Sequence, residues 1–252
     1  MISAVKDKFY VDDYLDSCDS EEEAEDKIRK MTLLQKTGGF DLVNWISNSP
    51  LIMEKFGTTS ETIKPFNTED DSVEIERVLG LLWDAKNDVF RYKLQFSKVP
   101  QAIIDGTVRP TKREFLKLLM PIYDPLGFLV NFIIRGRIIN QKIWREDIEW
   151  DEMLRDDAYK QYLHWIEFLK GIEDVKVPRN YSSEMSSASS VELYTFCDAS
   201  EEAFAAVCYL RIKSKKAINI AFVLAKAKVA PLKPLTIPKL ELQAAVMASL
   251  ST

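Results

Sequence analysis

The sequence predicts an α+β protein, and three observations carry that prediction. β-prone runs crowd both ends of the chain, a helical period runs from about Thr111 to Ile172, and "SSEMSSASS", Ser182 to Ser190, parts the helical middle from the last β-rich segment. Six of those nine residues are serine, the composition of a linker. With 252 residues, 46% of them hydrophobic, the chain can bury a sizeable core in one large or two to three small domains.

Residues 8–15 alternate and read as a strand. "SEEEAEDKIRKMTLLQKTGGF" reads as a helix: Ser20 is an N-cap with Glu23 three residues on, acids fill the first turn, and Gly38-Gly39 stops it. "FDLVNWI" reads as a strand, and "SVEIERVLGLLWDAKNDVFRYKLQF" as two strands joined at Ala85–Asp88. From Thr111 a helix runs up to Pro121, Asp124-Pro125 breaks it, and a longer helix follows. "DEMLRDDAYKQYLHWIEFLKGI" is a further helix, with Leu154, Ala158, Trp165, Ile166 and Leu169 on one side. "VELYTFCDAS", "AFAAVCYLRI" and "AINIAFVLAKAKVA" form an antiparallel meander, and Pro238 starts a last helix.

Several function classes fall away. At a net charge of −5 there is no overall basic footprint, though a local patch fits inside that average. Cys18, Cys197 and Cys208 lack CxxC spacing and read as reduced intracellular thiols. His164 is the only histidine and reads as a half-buried packing residue, which disfavours Ser-His-Asp chemistry and histidine-rich zinc sites. "MISAVKDKFY" lacks the apolar run of a signal peptide, and "PLGFLVNFII" is too short to span a bilayer. The expectation is an intracellular protein, cytoplasmic or nuclear, with no membrane partner.

The acids carry more information. In "KFYVDDYLDS", Asp12 and Asp13 are adjacent. Two carboxylates about 4 Å apart repel by ~4 kcal/mol at an effective dielectric near 20. Solvent makes that harmless, and a divalent cation makes it useful. Asp198 closes the apolar strand "LYTFCD" and is either a turn residue or a site residue. Glu241 shares a helix face with Ala244, Ala245 and Ala248; it sits either at a frayed helix edge or, converging with Asp198, in an oxygen-only site suited to magnesium. An EF-hand starting at Asp12 fails, because Tyr14 and Ser17 fall where a carboxylate and a glycine are required. In the helical middle, Lys112, Arg113, Arg135, Arg137, Lys142 and Arg145 either grip a nucleic-acid backbone or form an ordinary solvated face.

Several ordered motifs together resemble one family. "FYVDDYLDS" resembles the Tyr-X-Asp-Asp motif of reverse transcriptases. "GGFDLVNWISNSP", "VLGLLWD" and "IYDPLGFLVNFIIRGRIINQKIWRE" follow in the order seen in BEL/Pao-type retrotransposon polyproteins, and "LYTFCDASEEAFAAVCYLR" and "APLKPLTIPKLELQAAV" look like the opening of their ribonuclease H-like domain. The resemblance implies the end of a reverse-transcriptase palm over 1–98, a helical thumb/connection over 99–181, the serine-rich linker over 182–190, and the first part of an RNase H-like sheet with one helix over 191–252. It implies that Asp12 and Asp13 hold magnesium in the palm and that Asp198 and Glu241 do so in the nuclease site, for two-metal phosphoryl chemistry on an RNA/DNA hybrid. Arg113, Arg137, Lys142 and Arg145 become the candidate nucleic-acid contacts. Two acids per site suggest a Pol-derived piece that binds magnesium weakly, is inactive alone, keeps residual nucleic-acid binding, and meets a protein partner or aggregates through exposed strand edges. The alternatives are an active reverse transcriptase/RNase H subunit completed by other segments, and a non-catalytic nucleic-acid-binding module.

Overall fold

The structure is a computed structural model that describes residues 7–57, 75–78 and 80–251. The chain divides into two compact units, Met1–Glu76 with Asp84–Asp88, and Arg77–Trp83 with Val89–Thr252.

In the first unit, the run 8–15 folds back on itself. Strands β1 (Phe9–Tyr10) and β2 (Asp13–Tyr14) pair antiparallel, Phe9 opposite Tyr14 and Tyr10 opposite Asp13. Helix α1 (Glu21–Thr37) starts as its sequence dictates: the Ser20 hydroxyl accepts from the Glu23 amide at 3.2 Å, and the Glu23 carboxylate accepts from the Asp19 amide at 3.2 Å. The strand expected at "FDLVNWI" does not form. Trp45 makes only an isolated bridge to Gly57, Asn44 takes a left-handed φ of 59°, and Phe40 and Val43 stay exposed. An apolar run becomes a strand only where a neighbour completes its hydrogen bonds. A helix not expected from periodicity, α2 (Pro50–Phe56), follows. Ser49 caps it by accepting from the Ile52 amide, and Pro50 supplies a first-turn residue that needs no donor.

Strands β3 (Ile75–Val78), β4 (Leu81–Asp84), β5 (Val89–Arg91) and β6 (Lys176–Pro178) lie side by side in that order. The turn expected at Ala85–Asp88 is there, but the run before it is split by Gly80 at φ +84°. β6 was not expected either; it returns after the helices to pair antiparallel with β5.

The helical layer of the second unit holds α3 (Gln101–Ile104), α4 (Lys112–Leu119), α5 (Val130–Arg145) and α6 (Asp156–Leu169). A full capping box between Thr111 and Glu114 opens α4. Phe115, Leu118, Ile143, Leu154, Tyr162, Trp165 and Leu169 are completely buried in one core. Trp165 is its anchor: the indole donates to the Phe132 carbonyl at 2.8 Å and lies over Gly136 of α5. His164 faces the other way and is exposed, so it is a solvent-side residue and not a half-buried one.

The meander is β7 (Ser190–Ala199), β8 (Ala203–Lys213) and β9 (Ile218–Val229), in that order and antiparallel, and α7 (Ile237–Ser249) packs on β7 and β8. Leu240, Ala244 and Met247 of α7 meet Phe204, Ala206 and Ala230. The serine-rich stretch before β7 is tied to this sheet by Asn219 donating to the Ser182 hydroxyl at 3.0 Å and by the Ser189 amide donating to the Lys213 carbonyl at 2.7 Å. Among the described residues no helix is long and apolar enough to cross a membrane.

A Cβ built on Gly136 would lie 2.4 Å from Trp165 Cζ2 and 2.9 Å from Leu119 Cδ1. Gly136→Ala is therefore expected to destabilise the helical layer by about 1–3 kcal/mol through overpacking, despite alanine's better helix propensity. Urea unfolding followed by tryptophan fluorescence reads this directly, and an unchanged or raised midpoint would refute the close approach.

Candidate functional site

The paired aspartates sit at the tip of the β1–β2 hairpin. Its loop is the two residues Val11 and Asp12. Two-residue hairpin loops favour positive φ, which glycine and asparagine accept easily. Val11 takes φ 57° while 88% exposed, an outlier for a β-branched residue. Asp12 and Asp13 are both exposed. The acid that the hairpin holds firmly is a third one, Asp16. Its carboxylate lies 3.2 Å from Lys8 and 3.3 Å from Lys27, and accepts from Tyr14 Oη at 3.0 Å and from the Ser17 amide at 2.9 Å. Burial alone would raise the Asp16 carboxyl, but these donors and lysines outweigh it and hold it below its ordinary 3.8. Burial, then the Asp16 hydrogen bond, push Tyr14 up to about 12.

At the other end of the chain, Asp198 and Glu241 lie on elements that pack together, β7 and α7, and both are exposed. Asp198 Oδ1 accepts from the Ala199 amide at 2.8 Å, the bond of a local turn. In the β7–β8 ladder Asp198 faces Ala205, whereas Ala199, Phe204 and Ala206 meet the helix. Strand alternation thus turns Asp198 to the face opposite α7. The buried stripe of α7 is Leu240, Ala244 and Met247; Ala245 is exposed, so Glu241 rides on the flank of the contact and not within it. Among the described residues no group of three or more His, Cys, Asp or Glu gathers as metal ligands would. Two exposed carboxylates fall short of the near-octahedral oxygen shell that magnesium takes.

The basic residues divide by what they already hold. Arg113 makes a fork to Asp151, 2.7 Å from Nε to Oδ1 and 3.1 Å from Nη2 to Oδ2, which raises its pKa. Lys142 pairs with Glu202 at 2.8 Å. Lys112 is buried; its ammonium donates to the Ile148 carbonyl at 2.9 Å and lies 4.1 Å from the ring centre of Trp144. Arg135 stacks over Phe168 at 4.5 Å. Arg137 and Arg145 are exposed and enter no ion pair among the described residues. The sequence reading missed the Lys112–Trp144–Trp150 cluster. Its signal was two tryptophans within seven residues of a basic helix end, which periodicity does not register.

A family model described as Pao retrotransposon-like RNaseH-like domain matches residues 111–252, and the chain belongs to that family. The match takes in the helices from α4 onward as well as the meander and α7. No match to the chain was found among curated proteins.

Because the Asp16 pKa is depressed in the folded hairpin, its stabilising contribution is complete well above pH 3.8 and is lost as pH falls below 3.8 toward the lower folded value. Asp16→Asn should lower stability at neutral pH, and the gap to the parent should close over that acid window. Urea titrations at several pH values, read by Trp45 fluorescence, test it; a gap that does not change with pH counts against it. Lys112→Met leaves the Ile148 carbonyl unpaired and removes the cation from the Trp144 ring, and should cost the second unit about 1–3 kcal/mol, read by far-ultraviolet circular dichroism of its helices in urea.

Proposed function

We propose that the chain is a nucleic-acid-binding region of a retrotransposon polyprotein that does not by itself cleave RNA. The observation that carries the binding reading is α5: four cations, no acid, and two of those cations, Arg137 and Arg145, without an ion pair among the described residues. In a chain of net charge −5, a helix so one-sided is a local phosphate-facing surface. Family membership supports the same reading, since an RNase H-like domain is built around nucleic acid.

The Tyr-Val-Asp-Asp hairpin is taken as the end of a polymerase palm, α3 to α6 as a thumb or connection, and the meander with α7 as the start of the nuclease fold. Asp12, Asp13, Asp198 and Glu241 are its candidate magnesium-facing acids; Asp198 points away from α7, which carries Glu241, so each of the two needs ligands from other segments before it can act. The open edge of β7 supports the expectation of a protein partner.

Titrating the purified chain with a labelled RNA/DNA hybrid at rising salt tests the reading. Affinity should fall steeply, and Arg137→Gln and Arg145→Gln should each reduce the salt slope by about 1. With magnesium present the hybrid should stay intact. Binding that ignores salt would refute the surface, and cleavage lost in Asp198→Asn would refute the non-cleaving half.

A further inference from the structure

Residues Arg137, Asn140, Gln141 and Trp144 recur at the spacing of one helical stripe along α5. They form one wall of a shallow groove of about 410 Å³ whose other wall is Val229 and Leu232, at the end of β9. That volume falls in the ~300–1,000 Å³ range of small-ligand sites. The groove is chemically mixed: one aromatic plane, one cation, two amides and two aliphatic side chains.

Three observations say what it fits. Trp144 is 47% exposed, yet its indole is braced, with the Lys112 ammonium over the ring and Trp150 edge-on at 5.3 Å. A rigid, half-open indole is a stacking platform. Arg137, at the same groove, has no ion pair among the described residues, whereas its neighbour Lys142 is neutralised by Glu202. Asn140 and Gln141 are turned inward: the Asn140 amide oxygen is buried, and Gln141 donates to the Ala230 carbonyl at 2.6 Å. What the groove presents is therefore the aromatic plane and the Arg137 guanidinium, whose charge also reaches the buried Asp124 carboxyl, and these complement the base face and phosphate of a nucleotide.

We infer that this groove takes an unpaired base of a single-stranded nucleic acid, stacked on Trp144 with the adjoining phosphate on Arg137. The inference rests on the nucleic-acid-binding reading above and adds the strand type and the contact. A base inside a duplex is stacked on its neighbours and offers no free face, so the groove selects single strands.

The test uses the full chain, a fluorescein-labelled twelve-nucleotide oligouridylate, the same strand carrying abasic positions, and an RNA/DNA hybrid. Trp144→Leu and Arg137→Gln should each weaken single-strand binding by about ten-fold, and Trp144→Phe, which keeps a ring, should retain most of it. Abasic positions should cost the parent about as much as Trp144→Leu does, and cost that variant little more. Hybrid binding should be unmoved by Trp144→Leu. Should Trp144→Leu fail to fold, as judged by circular dichroism, the loss that abasic positions cause in the parent chain and in Trp144→Phe decides the question. If single strands bind but ignore both the ring and the abasic change, the groove is not the site and the broader reading stands. If no nucleic acid binds at all, both fail.

Discussion

The second unit depends on a backbone contact at Gly127. The chain there runs so close to β9 that a Cβ on Gly127 would sit 1.9 Å from the Ala225 carbonyl oxygen, and φ of +79° suits glycine in any case. The closeness lets the Leu126 carbonyl accept from the Ala225 amide at 3.0 Å, so the outer side of β9 is paired there and not left open. Phe128 then lies on Phe222 at 4.9 Å. Asp124, whose carboxyl burial pushes up against the pull of the Leu129, Phe128 and Gly127 amides, fixes the start of α5. Further along α5, Gln141 donates to the Ala230 carbonyl and Lys142 pairs with Glu202. α5 is thus pinned to the meander at both ends, and the groove beside Trp144 is a consequence of that pinning.

The same geometry decides which cations are free. A guanidinium or ammonium that meets a carboxylate or carbonyl within the protein loses most of its long-range attraction for phosphate. Arg113 and Lys142 are neutralised in this way, and Lys112 is enclosed by tryptophans. They act as fasteners: Arg113 and Lys112 hold α4 to the loop after α5, and Lys142 holds α5 to the β7–β8 turn. A count of basic residues overstates the charge left unpaired roughly two-fold, because a sequence does not show which cations its own fold consumes.

Much of the fold was legible because its signals are local. The Ser20 cap, the Asp124-Pro125 break, the turn at Ala85–Asp88 and the three-strand meander all follow from turn chemistry and period. What was not legible needed a partner distant in sequence. "FDLVNWI" has strand composition and no strand beside it, while β6, three residues long, exists only because β5 pairs with it. The α7 face was misjudged by one position. Small residues at 244, 245 and 248 suggested a close-packed side, but Leu240 and Met247 carry the burial and rotate Glu241 to the flank. At the hairpin, composition singled out Asp12 and Asp13, whereas the ion-pairing fell to Asp16, three residues further on and within reach of α1.

What Asp198 can do depends on the strand that bears it. Among the described residues β7 is an edge, paired only with β8. It exposes Val191 and Leu193 on one face and Tyr194 and Phe196 on the other, all between 44% and 58%. Edge strands are normally kept from pairing by being short, by charge or by proline. β7 is ten residues long, carries only Glu192 and Asp198 as charges, and Glu192 is already bound by Arg211 at 3.0 Å. Such an edge is primed for strand addition. A strand laid along it would bring its own side chains level with Asp198. The carboxylate's surroundings are therefore set by what pairs with β7, more than by α7 beneath it.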